Sequence, residues 1–484
     1  MTFYPGGLRA AFAGLLLVGI LAAMPAFALE EDEGEGESAP STTSAPSTTS
    51  ALSTTPTPQP QRPLSATAEQ IFSQAQPGLL QIRSLLKSAQ KPSSIGSGFL
   101  VSADGLALTN YHVVSQYALE SDLYQLEYVA ADNSRGRLRL LAIDIINDLA
   151  VVQLDVLPEK RFEVFAFNPA AVEGRLVKGE RLFSMGNPLD LGFSIVEGTY
   201  NGIVEKSYQP KVHFTGALNP GMSGGPTVTM DNRVAGVNVA KLVSGDLVSF
   251  LVPAGAAFRL LEKARDGNEL DTSAVRQEIG AQMDVWQKDF FAEFKAQGVH
   301  EAALGSYRVA ESNANWFNCW ANTNRNERNH LRVQINKSTC HTRTQLFLSH
   351  DMSAGDVEIS HVYLKSIDLN AMQFARRLTR YADPPVFGGG RRNSNKNFTP
   401  YRCYENFLAA DEEHLLRPGL RVVWCARAYR QFPGLYDVSV ASTTQDRNRE
   451  ALVSTLSLTG VHYENAVAFV QDFFATLKVQ RDLD

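Results

Sequence analysis

The run Gly221-Met222-Ser223-Gly224-Gly225-Pro226, continuing into Thr227-Val228-Thr229, decides how this chain is read. A serine hydroxyl becomes a nucleophile beside a base, with an acid orienting that base and N–H groups aimed at the developing oxyanion. Glycines on both sides of Ser223 let the backbone turn so that successive N–H groups converge on one point. Gly221 and Ser223 are the expected donors. The chain leaves this turn through Pro-Thr-Val-Thr, which favours a strand over a helix.

Working outward, the base and acid are sought in β-like surroundings. His112 closes the run Leu106-Ala-Leu-Thr-Asn-Tyr-His112-Val-Val, and Asp148 stands before the apolar run Leu149-Ala-Val-Val. About a dozen short β-like runs lie between Leu79 and Val252, punctuated by Asp104-Gly105, Asp132-Asn133, Asn187-Pro188 and Asp231-Asn232. Such spacing predicts an all-β sandwich or a pair of barrels. The weakly helical Ala66–Gln76 precedes these runs, and helical character returns at Ala256–Arg265.

Four segments in order are more specific than any one of them. They are Gly96-Ser-Gly-Phe-Leu-Val-Ser-Ala-Asp-Gly-Leu-Ala-Leu-Thr-Asn-Tyr-His112-Val-Val, Asn147-Asp148-Leu-Ala-Val, Gly186-Asn187-Pro188 and Gly221-Met-Ser223-Gly-Gly-Pro. Together they resemble the trypsin-like serine proteases, and within them the HtrA-like branch. The resemblance covers roughly residues 66–265 and includes Gly236-Val-Asn-Val-Ala240 and Phe250-Leu-Val-Pro. It implies a chymotrypsin-like double barrel with a His112, Asp148, Ser223 triad between the barrels. It also implies an oxyanion hole at Gly221 and Ser223, and no cofactor or metal. By position, Ala217 would floor the pocket for the residue before the scissile bond, favouring small or medium aliphatic side chains. Asn238 and Ala240 would lie on the strand that pairs with substrate. Tyr111 before His112, and Met222 between the glycine and the serine, depart from the family pattern. No PDZ-like carboxylate-binding loop is read after residue 265. The G-x-S-x-G elbow of α/β-hydrolases also fits residues 221–225, but it demands a helix after the serine, with acid and histidine later in the chain.

The whole chain has 484 residues, 44% of them hydrophobic and 20% charged, with a net charge of −6. These values exclude wholesale disorder and a polytopic membrane protein. The acids Glu30, Glu31, Asp32, Glu33, Glu35 and Glu37 account for that net charge, so no basic field exists to hold nucleic acid. Residues 1–28 read as a secretory signal: Arg9, an apolar core from Ala10 to Met24, then Ala26-Phe27-Ala28 as a cleavage site. An uncleaved anchor is the rival, and both readings export the chain. Residues 29–64 read as an acidic, then Ser/Thr/Pro-rich spacer, with the hexapeptide Ser-Ala-Pro-Ser-Thr-Thr from Ser38 and again from Ser44. Such a tether would allow proximity to a membrane surface.

Residues 65–265 are assigned to the protease-like domain and 266–300 to an amphipathic helix or linker. In that helix Val275, Ile279, Met283, Trp286, Phe290 and Phe294 recur every three or four residues. The remaining 301–484 reads as an α+β region, duplicated at about 305–384 and 390–484. Its Cys319 and Cys340, and its Cys403 and Cys425, sit at nearly equal spacings beside aromatic residues. Four cysteines allow three pairings, and local disulfides are expected in an exported chain. Zinc is disfavoured because no C-x₂-C spacing occurs. His300, His330, His341, His350, His361 and His414 form no H-E-x-x-H pattern and read as ordinary surface or loop residues.

Two functions compete. The first is an exported serine endopeptidase acting on proteins or peptides. The second is a binding or adaptor protein whose C-terminal disulfide module recognises an unidentified protein or glycan, with the protease fold as regulated or inert scaffold.

Overall fold

The computed structural model describes residues 66–155, 163–241, 248–265, 267–325, 331–382, 396–410 and 417–480. The expected signal and spacer, with His330 and His414, lie outside these residues. After α1 (Ala66–Ala75) come β1 (Leu79–Leu86), β2 (Lys91–Leu100), β3 (Leu106–Thr109), α2 (Tyr111–Leu119), β4 (Tyr124–Ala130), β5 (Arg135–Asp144) and β6 (Leu149–Leu154). The strands close a barrel in the order β1-β2-β3-β6-β5-β4. Strands β3 and β6 are apolar at nearly every position because both of their faces are covered. Leu80, Ile82, Leu100, Ala107, Ala150 and Val152 fill the barrel. The alternate residues Leu79, Phe99, Leu108, Leu149 and Val151 face the second barrel, as period-2 geometry requires.

The second barrel comes after α3 (Pro169–Val172). It comprises β7 (Arg181–Gly186), β8 (Ser194–Ile203), β9 (Val212–Thr215), β10 (Pro226–Val228), β11 (Val234–Lys241) and β12 (Val248–Pro253), closed as β10-β11-β12-β9-β8-β7. The double barrel is therefore chymotrypsin-like. Leu182, Phe214 and Leu251 fill it, and α4 (Ala254–Ala264) packs against the seam between the barrels. Most of β8 escapes a sequence reading because its polar and glycine positions do not alternate. Helix α2 escapes it because Tyr-His-Val-Val reads as the continuation of a strand.

The C-terminal region opens with α5 (Thr272–Gln297), capped by the Asp271 side chain and ended at Gly298. All six residues of its apolar stripe are buried. The segment expected as a helix or linker is thus a core element. Next come β13 (Val299–Leu304), β14 (Tyr307–Ser312), β15 (Asn318–Thr323), β16 (Val333–His341), the hairpin β17 (Leu346–Ser349) and β18 (Met352–Ala354), β19 (Val357–Ser366) and α6 (Ala371–Leu378). The chain continues through β20 (Arg402–Leu408), β21 (Leu420–Ala428), β22 (Leu435–Thr444), β23 (Glu450–His462), α7 (Tyr463–Ala475) and β24 (Lys478–Val479). Seven strands form one sheet, β15-β16-β19-β23-β22-β21-β20, and β13-β14-β24 form a smaller one.

Disulfides join Cys319 to Cys340 and Cys403 to Cys425, each across directly paired residues that tie an outer strand to its neighbour. One apolar core runs from the interior of the first barrel through α2 and α5 to the inner face of the large sheet. This continuity brings the C-terminal region against the start of α2, where His112 stands.

Candidate active site

Strand β3 ends at Thr109, and Asn110 leads into α2, so His112 lies in the first turn of that helix. The turn between β5 and β6 delivers Asp148, held in left-handed backbone at φ +55°. Asp148 Oδ2 lies 2.6 Å from His112 Nδ1, and Oδ1 accepts the His112 backbone N–H at 2.8 Å. Its carbonyl accepts from Tyr111 N–H (3.2 Å) and from Asn110 Nδ2 (2.7 Å). Asp148 thus receives four donors from the start of α2, which fixes imidazole and carboxylate as one unit. Burial disfavours the charged imidazole, but the charge and hydrogen bond of Asp148 outweigh it and raise the His112 pKa above its ordinary value.

Ser223 sits in the loop before β10. Gly221 at φ +95° and Gly224 at φ +84° give that loop its turn. A Cβ on Gly224 would lie 2.3 Å from the Ser97 carbonyl, so glycine is required there twice over. Among the described residues the Gly221 and Ser223 N–H groups have no hydrogen-bond partner. The Pro220 carbonyl accepts from Leu189 N–H at 2.9 Å. In a trans planar peptide this turns the Gly221 N–H to the opposite side.

Ser97 ties the serine loop to the first barrel. Its N–H donates to the Ser223 carbonyl (2.7 Å) and its hydroxyl to the Gly221 carbonyl (2.7 Å), while Oγ accepts from Asn187 N–H (2.9 Å). Gln81 of β1 donates to Asp190 Oδ1 at 2.7 Å, holding the loop that carries Leu189. The Ser223 hydroxyl itself donates to the Val239 carbonyl at 3.2 Å and makes no hydrogen bond to His112. A Cβ on Gly96 would meet Val113 at 2.5 Å and the Ser223 carbonyl at 3.1 Å, so the serine loop and the start of α2 are neighbours across Gly96.

The other expected site residues divide. Asn238 is 1% exposed and does not face a cleft. Its amide donates to the Met185 and Met222 carbonyls and accepts from Ser184 and Thr227, so it supports the serine loop from below. Every polar atom of the side chain is thus already used, so any part Asn238 takes in the strand expected to pair with substrate is not through its amide. Its neighbour Val239, at a bulge in β11, faces the site instead. Ala217 is exposed. The Ala240 side chain lies outside the described residues.

The two departures from the family pattern have structural uses. Met222 is 1% exposed inside the second barrel. Tyr111 is fully buried and its hydroxyl donates to the Leu348 carbonyl of β17 at 2.8 Å. Gln282 of α5 donates to the Ile143 carbonyl and accepts from Ile145 N–H, both at 2.8 Å, clamping the turn that carries Asp148. Ser97, Gln282 and the β17 contact are absent from the sequence-based expectations. Ser97 alone left a signal, standing between two glycines of the first motif.

Residues 96–237 match the trypsin-like peptidase domain family. A probable periplasmic serine endoprotease, DegP-like, of Brucella suis is 29% identical over 210 residues, covering 42% of this chain and 38% of its own. The double barrel is similar to the trypsin-like protease domain of HtrA-like proteins. Serine protease HTRA3 of Mus musculus resembles this domain at 27% identity over 235 residues, covering 47% of this chain and 49% of its own. The match thus spans less than half the length of either curated relative. A crystal structure of the serine endoprotease from Yersinia pestis aligns with 43% of this chain and 69% of its own, at 23% identity and a TM-score of 0.35. In this HtrA-like protease domain, His112 and Asp148 are also held by the C-terminal region, through Tyr111 and Gln282.

Proposed function

We propose that the protein is an exported serine endopeptidase. The observation that carries this reading is the 2.6 Å His112–Asp148 contact beside a serine loop whose Gly221 and Ser223 N–H groups are free among the described residues. The reading requires the Ser223 hydroxyl to leave the Val239 carbonyl and turn toward His112 by a change of χ1 between staggered positions. His112 then accepts the proton as Ser223 Oγ attacks the scissile carbonyl. The Gly221 and Ser223 N–H groups hold the oxyanion, and Asp148 stabilises the imidazolium. His112 returns the proton to the leaving amine, and water repeats the cycle on the acyl-enzyme.

Ala217 supports a preference for small or medium aliphatic residues before the scissile bond, since its side chain adds neither bulk nor charge. The signal-like residues 1–28 and the periplasmic naming of DegP-like relatives support export. Among the described residues no helix is long and apolar enough to cross a membrane. The test is labelling with a fluorophosphonate. Wild-type protein takes up the probe and degrades unfolded casein, whereas Ser223→Ala does neither; casein hydrolysis retained in full by Ser223→Ala refutes the reading.

A binding role for the C-terminal sheet has one observation in its favour. Trp320 on β15 and Tyr404 on β20, at opposite edges of the sheet, are 64% and 68% exposed. This role is compatible with peptidase activity, so it stands second.

A further inference from the structure

A cavity of about 190 Å³ opens beside the His112–Asp148 pair. Its walls include Val239 of β11, Phe250 and Val252 of β12, Lys211 just before β9, and Leu346 and Phe347 of the C-terminal hairpin. The walls at Lys211 and at the hairpin are anchored by the C-terminal region. The Phe347 ring packs against the His112 ring at 5.3 Å between centroids, and the hairpin is fixed by Tyr111 through Leu348. The segment leading to Lys211 is held by Tyr208, whose ring meets Trp316 at 4.9 Å and Phe290 at 5.1 Å edge-on.

Within this otherwise mostly apolar enclosure Lys211 is anomalous. Its ammonium has no hydrogen bond or ion pair among the described residues, and burial lowers its pKa, opposed only in part by the charge of Asp148. Asp148 is not its ion-pair partner: its carboxylate oxygens accept from His112. A half-buried ammonium without a partner is costly, and an incoming carboxylate removes that cost with a charge-assisted hydrogen bond. The cavity holds roughly the volume of six liquid waters, the scale of one side chain.

We propose that Lys211 and Phe347 form a specificity subsite taking an acidic side chain of the substrate close to the scissile bond. Lys211 binds the carboxylate, while Phe347 walls the side chain's methylenes against His112. This subsite rests on the peptidase reading for its use, but not for its detection. The C-terminal region then does what a separate recognition domain would do, by supplying part of the cleft itself.

The test is binding of acetylated hexapeptides to the full-length Ser223→Ala protein, where no turnover intrudes. The peptides carry one aliphatic residue at a fixed position, with Glu compared against Gln at each other position. The expected result is a Glu preference of about tenfold at one position, reduced to near parity by Lys211→Met and kept by Lys211→Arg. Phe347→Ala weakens Glu and Gln peptides together at that same position. No Glu preference at any position, or a preference that survives Lys211→Met, overturns the subsite. Turnover by wild-type protein is measured in parallel. Peptides bound with the expected preference but never cleaved, and no fluorophosphonate labelling, would instead defeat the peptidase reading and leave the subsite standing.

Discussion

At the scale of single residues, the proposed chemistry hangs on the protonation of His112 and on what holds Ser223. A general base must be neutral to act. Because the Asp148 carboxylate outweighs burial and raises the His112 pKa, the inactive imidazolium persists to higher pH than in a free histidine. The acid limb of kcat/KM against pH is therefore expected to have its midpoint above about 6.5, the ordinary histidine value. A limb centred well below that value would separate His112 from the rate. Asp148→Asn removes the charge, and if the proposed roles hold the expected cost is about 10⁴-fold in kcat, as in a Ser-His-Asp triad whose acid becomes an amide. Ser97 acts one step back, as a positioning residue. Ser97→Ala leaves the Gly221 carbonyl and the Asn187 N–H without their partner. Its expected effect is a fall of about tenfold to a hundredfold in kcat/KM with KM little changed, since the proposed oxyanion donors lose their aim rather than their identity. A loss confined to KM would place Ser97 in substrate binding instead.

At the scale of elements, the large C-terminal sheet contains a buried titratable group that the chemistry does not use. His361 of β19 is fully buried, stacks on Phe473 of α7 at 5.4 Å, and shares a 2.8 Å hydrogen bond with Ser454 of β23. Burial holds its pKa down to about 4. Between about 6.5 and 4 the unfolded chain therefore binds a proton that the folded chain refuses. Stability is expected to fall with pH across that window, by up to about 3 kcal/mol near its lower end. Urea midpoints at pH 7 and pH 4.5 measure it, and His361→Gln should flatten this part of the slope. An unchanged slope in that variant would show that His361 is not the group responsible. The periodic elements around it are legible from sequence: the stripe of α5 from Val275 to Phe294 is buried as its spacing requires. Elements lacking a clean period, such as β8 with its internal glycines, are not.

At the scale of the whole molecule, what the sequence reveals and what it hides divide by distance along the chain. The four motifs around His112, Asp148, Asn187 and Ser223 are local patterns, each legible because its chemistry needs particular neighbours. Tyr111 meeting Leu348, Phe347 covering His112 and Gln282 clamping the Asp148 turn join residues from opposite ends of the fold and leave no periodic trace. The role of the Asn238 side chain is hidden for a related reason: nothing in its local sequence foretells its four buried partners. The same long-range contacts decide whether the protease domain can stand alone. Its first barrel shares one core with α5 and the C-terminal sheet. Deleting residues 266–484 would strip away Val275, Ile279, Met283, Trp286, Phe290 and Phe294, all buried, along with the sheet behind them. Each such side chain is worth about 1.5–3 kcal/mol of burial, and a domain's total stability is only about 5–15 kcal/mol. A fragment of residues 66–265 is therefore expected to aggregate or to remain unfolded, and the intact protein to lose its barrels and its C-terminal sheet in one thermal transition. Circular dichroism and calorimetry test both. A folded, fluorophosphonate-reactive fragment would show that the shared core is an interface between independent domains, and that the contacts to His112 and Asp148 refine the site rather than create it.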